Sequence, residues 1–140
     1  MNKMNLSEIA DVNMGSSPDS TFVNEEYKGY PFLQGCAEFG ERRPNPKYYT
    51  PRPSKLSSPN DILISVRAPV GELNIGDTTY CIGRGVAAIS GKKNKVDGTY
   101  LYYKLLQYRP DLERVSQGST FDAAIPHLIQ NCSQAERTKN

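Results

Sequence analysis

Short apolar segments separated by glycine, proline and asparagine dominate the middle of the chain. The strongest spans Asp61–Arg67, where four apolar residues, three of them β-branched, stand between Pro59 and Pro69. This composition and these boundaries predict a strand. Similar but shorter segments predict further strands at Tyr30–Gln34, Val70–Asp77, Tyr80–Ile82 and Val86–Ser90. Several short strands at close spacing indicate a compact β unit.

Apolar positions recur at helical spacing nearer the two ends of the chain. From Leu6 to Val12 they follow Ser7 as an N-cap candidate and precede Gly15 as a stop, which predicts a short opening helix. Residues 15–29, rich in polar residues and glycine, separate it from the first strand as a surface loop.

Two helices are predicted after the strands. Gly98–Gln107 follows the N-cap candidate Asp97 and places Leu101 and Leu105 on one face, and Pro110–Gln117 is closed by Gly118. Strands first and helices last predict an α+β fold, a β-rich coil of short strands followed by C-terminal helices. We expect one domain over residues 1–130 and a short, flexible polar tail over residues 131–140.

Residues 42–55 form a basic segment with four prolines, two adjacent tyrosines and no acidic residue. Because proline removes backbone donors, neither a helix nor a central strand is expected here. The segment is therefore predicted to be an ordered, extended and exposed loop. A second basic cluster, Lys92-Lys93-Asn94-Lys95, follows the last predicted strand. Cations on a stiff backbone lose less entropy on meeting phosphate than cations on a floppy tail.

Composition places the chain among single globular domains. It has 140 residues, 37% hydrophobic and 23% charged, and a net charge of +2, so the field of the whole protein says little about partners. No apolar run approaches the roughly 20 residues of a membrane-spanning helix, and the first residues lack the apolar core of a secretory signal. A cytoplasmic protein is therefore expected.

The cysteines and the histidine do not predict a metal site. Cys36, Cys81, Cys132 and the single His127 are scattered along the chain, with no two at metal-finger spacing. We interpret the cysteines as small hydrophobes rather than as ligands or disulfide partners.

No catalytic constellation is complete in the sequence. A Ser-His-Asp triad has only His127 as base, without the glycines of a nucleophile elbow, and the Gly85–Gly91 segment fails the spacing of a phosphate loop. Pro18-Asp19 with Glu26-Tyr27-Lys28 imitates a nuclease metal site, but both parts lie in one loop. Asn45-Pro46-Lys47-Tyr48 imitates a base-gripping methyltransferase loop without its second proline. We therefore expect a non-catalytic protein without cofactors.

Three stretches, taken in register, resemble a known family. They are Leu6-Ser-Glu-Ile-Ala-Asp-Val12, then Ile64-Ser-Val-Arg-Ala-Pro-Val-Gly71 leading to Cys81-Ile-Gly-Arg-Gly-Val-Ala-Ala-Ile89, and Tyr100-Leu-Tyr-Tyr103 leading to Gln117-Gly-Ser-Thr-Phe121. Over about residues 6–130 the chain is similar to a target recognition domain of the specificity subunit of Type I restriction-modification systems. The resemblance implies a module that reads double-stranded DNA and recruits a methyltransferase subunit and, through it, the restriction subunit.

The resemblance and the basic loop together predict the DNA-binding residues. Base edges are expected to meet Gln34, Arg42, Arg43 and Arg52, and phosphates Lys47, Lys55, Lys92, Lys93 and Lys95. Tyr48 and Tyr49 are expected to stack on sugar or to pack beneath the loop. The resemblance further implies that Arg67 and Arg84 brace loops or touch phosphate, and that Ser119 and Thr120 meet DNA from a turn.

One departure from the family keeps two hypotheses open. Members usually continue into a Pro-Leu-Pro-Pro segment and a long helix that docks on a second recognition domain, whereas here Pro126 is followed by His-Leu-Ile and a polar end. The leading hypothesis is sequence-specific recognition of double-stranded DNA, with a homodimer as one way to present two half-sites. The alternative is an interaction or dimerisation module that reads no sequence.

Overall fold

The computed structural model describes residues 10–91 and 98–107 of the chain. Seven strands precede one helix in these ranges, and two short 3-10 turns lie at Ser20–Phe22 and Cys36–Glu38. The strands are β1 (Ala10–Met14), β2 (Tyr30–Leu33), β3 (Tyr48–Thr50), β4 (Asp61–Ser65), β5 (Leu73–Gly76), β6 (Cys81–Ile82) and β7 (Val86–Gly91), and the helix is α1 (Gly98–Gln107). The α+β prediction is confirmed.

The larger sheet has four antiparallel strands in the order β1-β7-β4-β5. All five residues of β4 are buried because layers of structure cover both faces of this inner strand. Ile62 and Ile64 belong to the core shared with α1, and Leu63 belongs to the core on the opposite face. This two-sided burial explains the continuous apolar run that predicted the strand.

The smaller sheet has the order β3-β2-β6, with β3 antiparallel and β6 parallel to β2. Its buried Leu33 and Ile82 pack with Leu63, Val86 and Ala88 of the larger sheet. The described fold therefore has three layers: α1, the four-stranded sheet and the three-stranded sheet.

Helix α1 has the predicted bounds. Leu101, Tyr102 and Leu105 are buried against the larger sheet. Tyr103 and Leu106 remain 47% and 38% exposed on the outer face. The predicted helix at Pro110–Gln117 lies outside the described residues, as does the whole tail over residues 131–140.

The prediction of an opening helix is wrong for Ala10 and Val12, which lie in β1. Ala10 pairs with Gly91 and Val12 with Ile89 of β7. Burial of Ala10 in the core next to α1 outweighs a local periodicity of only a few residues. Residues 6–9 of that prediction lie outside the described part.

The basic segment is not a loop throughout, because Tyr48–Thr50 form strand β3. Among the strands of its sheet it pairs only with β2 and lies at the edge, between Pro46 and Pro51, while on its other side Tyr49 forms an isolated bridge with Asn24. Edge positions tolerate neighbouring prolines, and no central strand forms in this segment.

Candidate nucleic-acid interface

The topology of the smaller sheet brings three predicted contact residues to one end. Strands β2 and β6 run parallel and finish at the same end, where Gln34 and Arg84 follow shortly after them. Strand β3 is antiparallel and begins there, directly after Lys47. All three side chains are exposed. We call this group, together with Arg67, the loop end of the smaller sheet.

Arg84 stands at the tip of a tight turn between two buried glycines. The amide of Gly83 donates to the carbonyl of Leu33 at 2.8 Å, and that of Gly85 donates to the carbonyl of Gln34 at 2.9 Å. A Cβ atom on Gly85 would lie 2.6 Å from that carbonyl oxygen, so only glycine allows so close an approach. The backbone of the turn is thereby fixed while the Arg84 side chain faces solvent.

Arg67 joins this end through the larger sheet. The Val66 amide donates to the Gly85 carbonyl at 2.9 Å, which places the exposed Arg67 beside the turn that carries Arg84. Arg67, which follows β4, and Arg84, which follows β6, are thus brought together with Gln34. Phosphate and base edges both attract such a mixture of guanidinium and amide groups.

The connection between β2 and β3 carries Arg42 and Arg43 and is pinned to β5. The buried Asn74 side chain accepts from the Gly40 amide at 2.9 Å and donates to the Gly40 carbonyl at 3.0 Å. The Ile75 amide donates to the Arg42 carbonyl at 2.7 Å. These bonds give the loop one backbone conformation, as predicted for an ordered segment.

The two arginines of this connection have different surroundings. Arg42 donates from Nη2 to the Tyr103 hydroxyl on α1 at 2.6 Å, and its Cζ lies 5.6 Å from the centre of that ring. Arg43 is exposed, and its side chain has no hydrogen bond to any residue in the described ranges.

Arg52 follows β3 at the opposite end of the smaller sheet, whereas Lys55 lies beside β6, where its carbonyl accepts from the Ile82 amide at 3.0 Å. The Arg52 guanidinium carbon lies 4.3 Å from the centre of the Phe22 ring, and Lys55 Nζ is 3.4 Å from Asn13 Oδ1. Since Tyr30, at the start of β2, and Gln34, just after its end, are four residues apart, these two positions are about 13 Å apart at roughly 3.3 Å per residue. That spacing is close to the width of a DNA major groove, about 12 Å.

Tyr48 and Tyr49, which were predicted to stack on sugar or to pack beneath the loop, differ in their exposure. Tyr48 is 39% exposed, whereas Tyr49 is half-buried, with its ring centre 4.9 Å from that of Tyr27. Tyr27 was not among the predicted contact residues. Its side chain is 78% exposed, and its backbone has a positive φ of 63°. The Asn24 side chain, which accepts from the Glu26 and Lys28 amides, fixes this turn. In the sequence, only the adjacent Lys28-Gly29 indicates this turn.

The remaining predicted contacts lie outside the described residues. They are Lys92, Lys93, Lys95, Ser119 and Thr120. They stay predictions.

Two carboxyl groups next to the basic segment have shifted pKa values. Burial raises the pKa of Glu38, while the charge of Lys47 acts in the opposite direction. Hydrogen bonds from the Thr21 backbone and side chain, with a smaller contribution from the charge of Arg52, lower the pKa of Asp19. Lys47 and Arg52 are therefore each close to one carboxylate.

The acids of the nuclease-like motif have local structural roles. Asp19 caps the turn that begins at Ser20 by accepting from the Thr21 amide at 2.9 Å, and Glu26 accepts from the Glu25 amide at 2.7 Å. Across residues 10–91 and 98–107, no three His, Cys, Asp or Glu side chains come together in a way that could hold a metal ion. In the same ranges no helix has the length and apolar character needed to cross a membrane.

Similar proteins fall into one group. A putative type I restriction enzyme specificity subunit, MjaX, from Methanocaldococcus jannaschii is 50% identical over 110 residues, which are 79% of this chain and 26% of that protein. The structure of an HsdS subunit from Thermoanaerobacter tengcongensis matches with a TM-score of 0.76 and 32% identity, covering 98% of this chain and 37% of that one. A chain from a study of complex assembly and conformational transition of the type I R-M system matches with a TM-score of 0.77 and 31% identity, covering 98% and 38%.

A more distant structure shares the fold. The type I restriction-modification S subunit from M. genitalium has a TM-score of 0.61 at 18% identity, over 81% of this chain and 28% of that one. The present chain thus spans between about a quarter and two fifths of the length of these relatives.

The family assignment rests on the match over most of the chain. The family model for the Type I restriction modification DNA specificity domain matches residues 1–130. This confirms the resemblance inferred from the three sequence stretches. The chain therefore belongs to the family of Type I restriction modification DNA specificity domains.

Proposed function

We propose that this chain recognises a specific sequence in double-stranded DNA through the loop end of the smaller sheet. The observation that carries the proposal is the convergence of Gln34, Lys47, Arg67 and Arg84, which flank β2, β3, β4 and β6, onto one exposed edge. Membership of a DNA specificity family supplies the ligand class.

The side chains suggest a division of work within the interface. Arg43, Arg84 and Gln34 have the donors and acceptors that read guanine and adenine in the major groove. Lys47 and Arg67 would meet the flanking phosphates. Arg52, at the opposite end of the sheet, and Lys55, beside β6, would extend the phosphate contacts along the duplex, and Lys92, Lys93 and Lys95 remain further candidates for the same role.

The proposal includes the partners that the family implies. We propose that residues 1–130 form one target recognition domain, that residues 131–140 are a polar tail, and that the domain acts in the cytoplasm without a cofactor or catalysis of its own. The methyltransferase subunit, and through it the restriction subunit, would bind the complete assembly. Co-purification with a coexpressed methyltransferase subunit tests this part, and light scattering tests for a homodimer.

Selection of bound sequences from a random duplex library, at two salt concentrations, tests DNA recognition directly. We expect a sharp motif, and affinity that falls with salt by a slope of about 0.9 per phosphate contacted. Arg84→Ala and Arg43→Ala should each lower affinity for that motif roughly ten- to hundredfold, since a bidentate base contact contributes about 1–3 kcal/mol.

Lys104→Ala is the matched control, because it removes one positive charge from α1, away from the loop end. It should leave the motif unchanged. An unenriched library with flat salt dependence would contradict DNA recognition. A stable complex with a protein partner would then support the interaction module.

A further inference from the structure

The contact between Arg42 and Tyr103 links the basic loop to α1. Residues 40–43 lie on the connection between β2 and β3, whereas Tyr103 lies on the outer face of the helix. The guanidinium both donates to the Tyr103 hydroxyl, at 2.6 Å, and lies near the face of the ring, at 5.6 Å from its centre. A charge-assisted hydrogen bond and a cation–π contact therefore hold one side chain.

The aromatic partner is itself held in place. The Tyr103 ring meets the Tyr102 ring edge to face, with centres 5.4 Å apart and planes at 78°. Tyr102 is only 3% exposed and belongs to the core between α1 and the larger sheet. Burial raises the pKa of Tyr102, and the nearby charge of Arg42 acts in the opposite direction.

The backbone of Arg42 is fixed as well as its side chain. Its carbonyl accepts from the Ile75 amide at 2.7 Å, and the neighbouring Gly40 exchanges two hydrogen bonds with Asn74. The Gly40 amide also donates to the Arg43 carbonyl at 3.1 Å, which closes the turn between them. Arg42 is thus attached to β5 through its backbone and to α1 through its guanidinium, while the Arg43 side chain is exposed.

These contacts are hard to reconcile with base reading by Arg42. A bidentate contact with guanine needs two donors of the guanidinium aimed at the base, and for this Arg42 would have to turn away from the Tyr103 ring and hydroxyl. Arg43 needs no such release. Rigid support of the first contacting side chains by a second layer of hydrogen bonds is the usual way in which a binding site is preorganised.

We propose that Tyr103 is a positioning residue, which holds Arg42 as a strut between α1 and the loop so that Arg43 and Lys47 face the DNA. This inference rests on the proposed DNA recognition and deepens it: specificity in this loop then depends on Arg43, and a side chain of α1 controls its placement. The base-reading role predicted for Arg42 is replaced by a supporting one.

The experiment uses the full 140-residue chain with three variants. Tyr103→Phe removes the hydroxyl and keeps the ring, Arg42→Ala removes the strut, and Arg43→Ala removes the proposed reader. Tyr30→Phe is the matched control, since it removes a hydroxyl from an exposed tyrosine at the other end of the smaller sheet. Library selection and affinity for the selected motif are measured for each.

We expect Tyr103→Phe and Arg42→Ala each to weaken specific binding about five- to tenfold and to blur the same base position that Arg43→Ala blurs. The double variant Tyr103→Phe/Arg42→Ala should lose no more affinity than either single variant, because each of the two changes removes the same strut. Tyr30→Phe should bind as the unmodified chain does. The proposal is overturned if Arg42→Ala blurs a position that Tyr103→Phe and Arg43→Ala leave sharp, or if Tyr103→Phe changes nothing.

A readout without DNA separates failure of the strut from failure of DNA recognition. Amide hydrogen exchange at Gly40 and Ile75 should become several-fold faster in Tyr103→Phe and stay unchanged in Tyr30→Phe. If exchange is unchanged, the strut is refuted whatever the DNA data show. If exchange accelerates but the unmodified chain selects no motif, the DNA-positioning role fails together with the proposed function, and only a structural contact remains.

Discussion

Single residues in the chain are constrained mainly by close backbone approaches around the turn that carries Arg84. Among the glycines around this turn, Gly15 has the closest neighbours. A Cβ atom added there would lie 2.0 Å from the Gly83 carbonyl oxygen and 2.6 Å from that of Val86. The Gly15 amide also donates to the Val86 carbonyl at 2.9 Å. Backbone atoms cannot rotate away as a flexible side chain can, so any side chain here must displace the turn.

Gly15→Ala should therefore destabilise the fold by roughly 1–3 kcal/mol or more, the range for forcing extra atoms into a packed site. Gly35→Ala is the control, because nothing lies within 4 Å of its added Cβ. Urea unfolding followed by circular dichroism measures both. Equal stability of the two variants would contradict the close approach at Gly15.

Asp19 gives a prediction about pH at the same scale. Hydrogen bonds to Thr21 lower its pKa below the usual 3.8 in the folded chain. Its contribution to stability is therefore complete above that value and is lost as the pH falls through the lower, folded pKa. Asp19→Asn retains a capping acceptor without the titration, so its unfolding midpoint should fall less between pH 5 and pH 2 than that of the unmodified chain. Parallel curves would contradict the assignment.

Among the elements, α1 shows how burial rather than residue type sets the effect of a substitution. Leu105 is 3% exposed in the core, whereas the adjacent Leu106 is 38% exposed. Leu105→Ala should cost about 2–5 kcal/mol through lost transfer energy and the cavity left behind. Leu106→Ala should cost under about 1 kcal/mol, because an exposed leucine loses little contact.

Thermal or urea unfolding of the two leucine variants checks this difference. Both retain a good helix former at their site, so helix propensity cannot account for a difference between them. If Leu106→Ala proved as damaging as Leu105→Ala, the outer face of α1 would be covered in the folded chain.

The elements also show how far sequence reasoning reached. Strand β4 and helix α1 were predictable because a bounded apolar run and a regular helical spacing each reflect the local environment. β1 was not, since its pairing with β7, about eighty residues away, decides its conformation. The position of Arg42 was equally hidden, because its partner Tyr103 lies 61 residues further on and only the fold brings the two together.

For the candidate site, sequence recognised the residue types but not their grouping. Prolines and cations identified the loop that carries Arg43 and Lys47. The parallel pairing of β2 with β6, which brings Gln34 beside Arg84, is a long-range feature without a local signal. The exposed position of Tyr27 was not predicted, because a positive φ on tyrosine has no sequence signature.

On the scale of the whole molecule, the basic residues divide between the two ends of the smaller sheet. Arg52→Ala removes only the cation opposite the loop end. We expect weaker binding to all duplexes and a salt slope reduced by up to about one, with the selected motif unchanged. Fluorescence anisotropy with the motif and with a scrambled duplex measures both. A changed motif would place base contacts at that end as well.

The connection between β2 and β3 lies outside both hydrophobic cores apart from Phe39, which packs at the edge of one, and its ends are fixed by sheet pairing. Residues 40–47 can therefore be exchanged as a cassette with little loss of stability, provided that Gly40, which faces Asn74, and Arg42, which contacts Tyr103, are retained. Such chimaeras would offer a route to new target preferences on an unaltered frame.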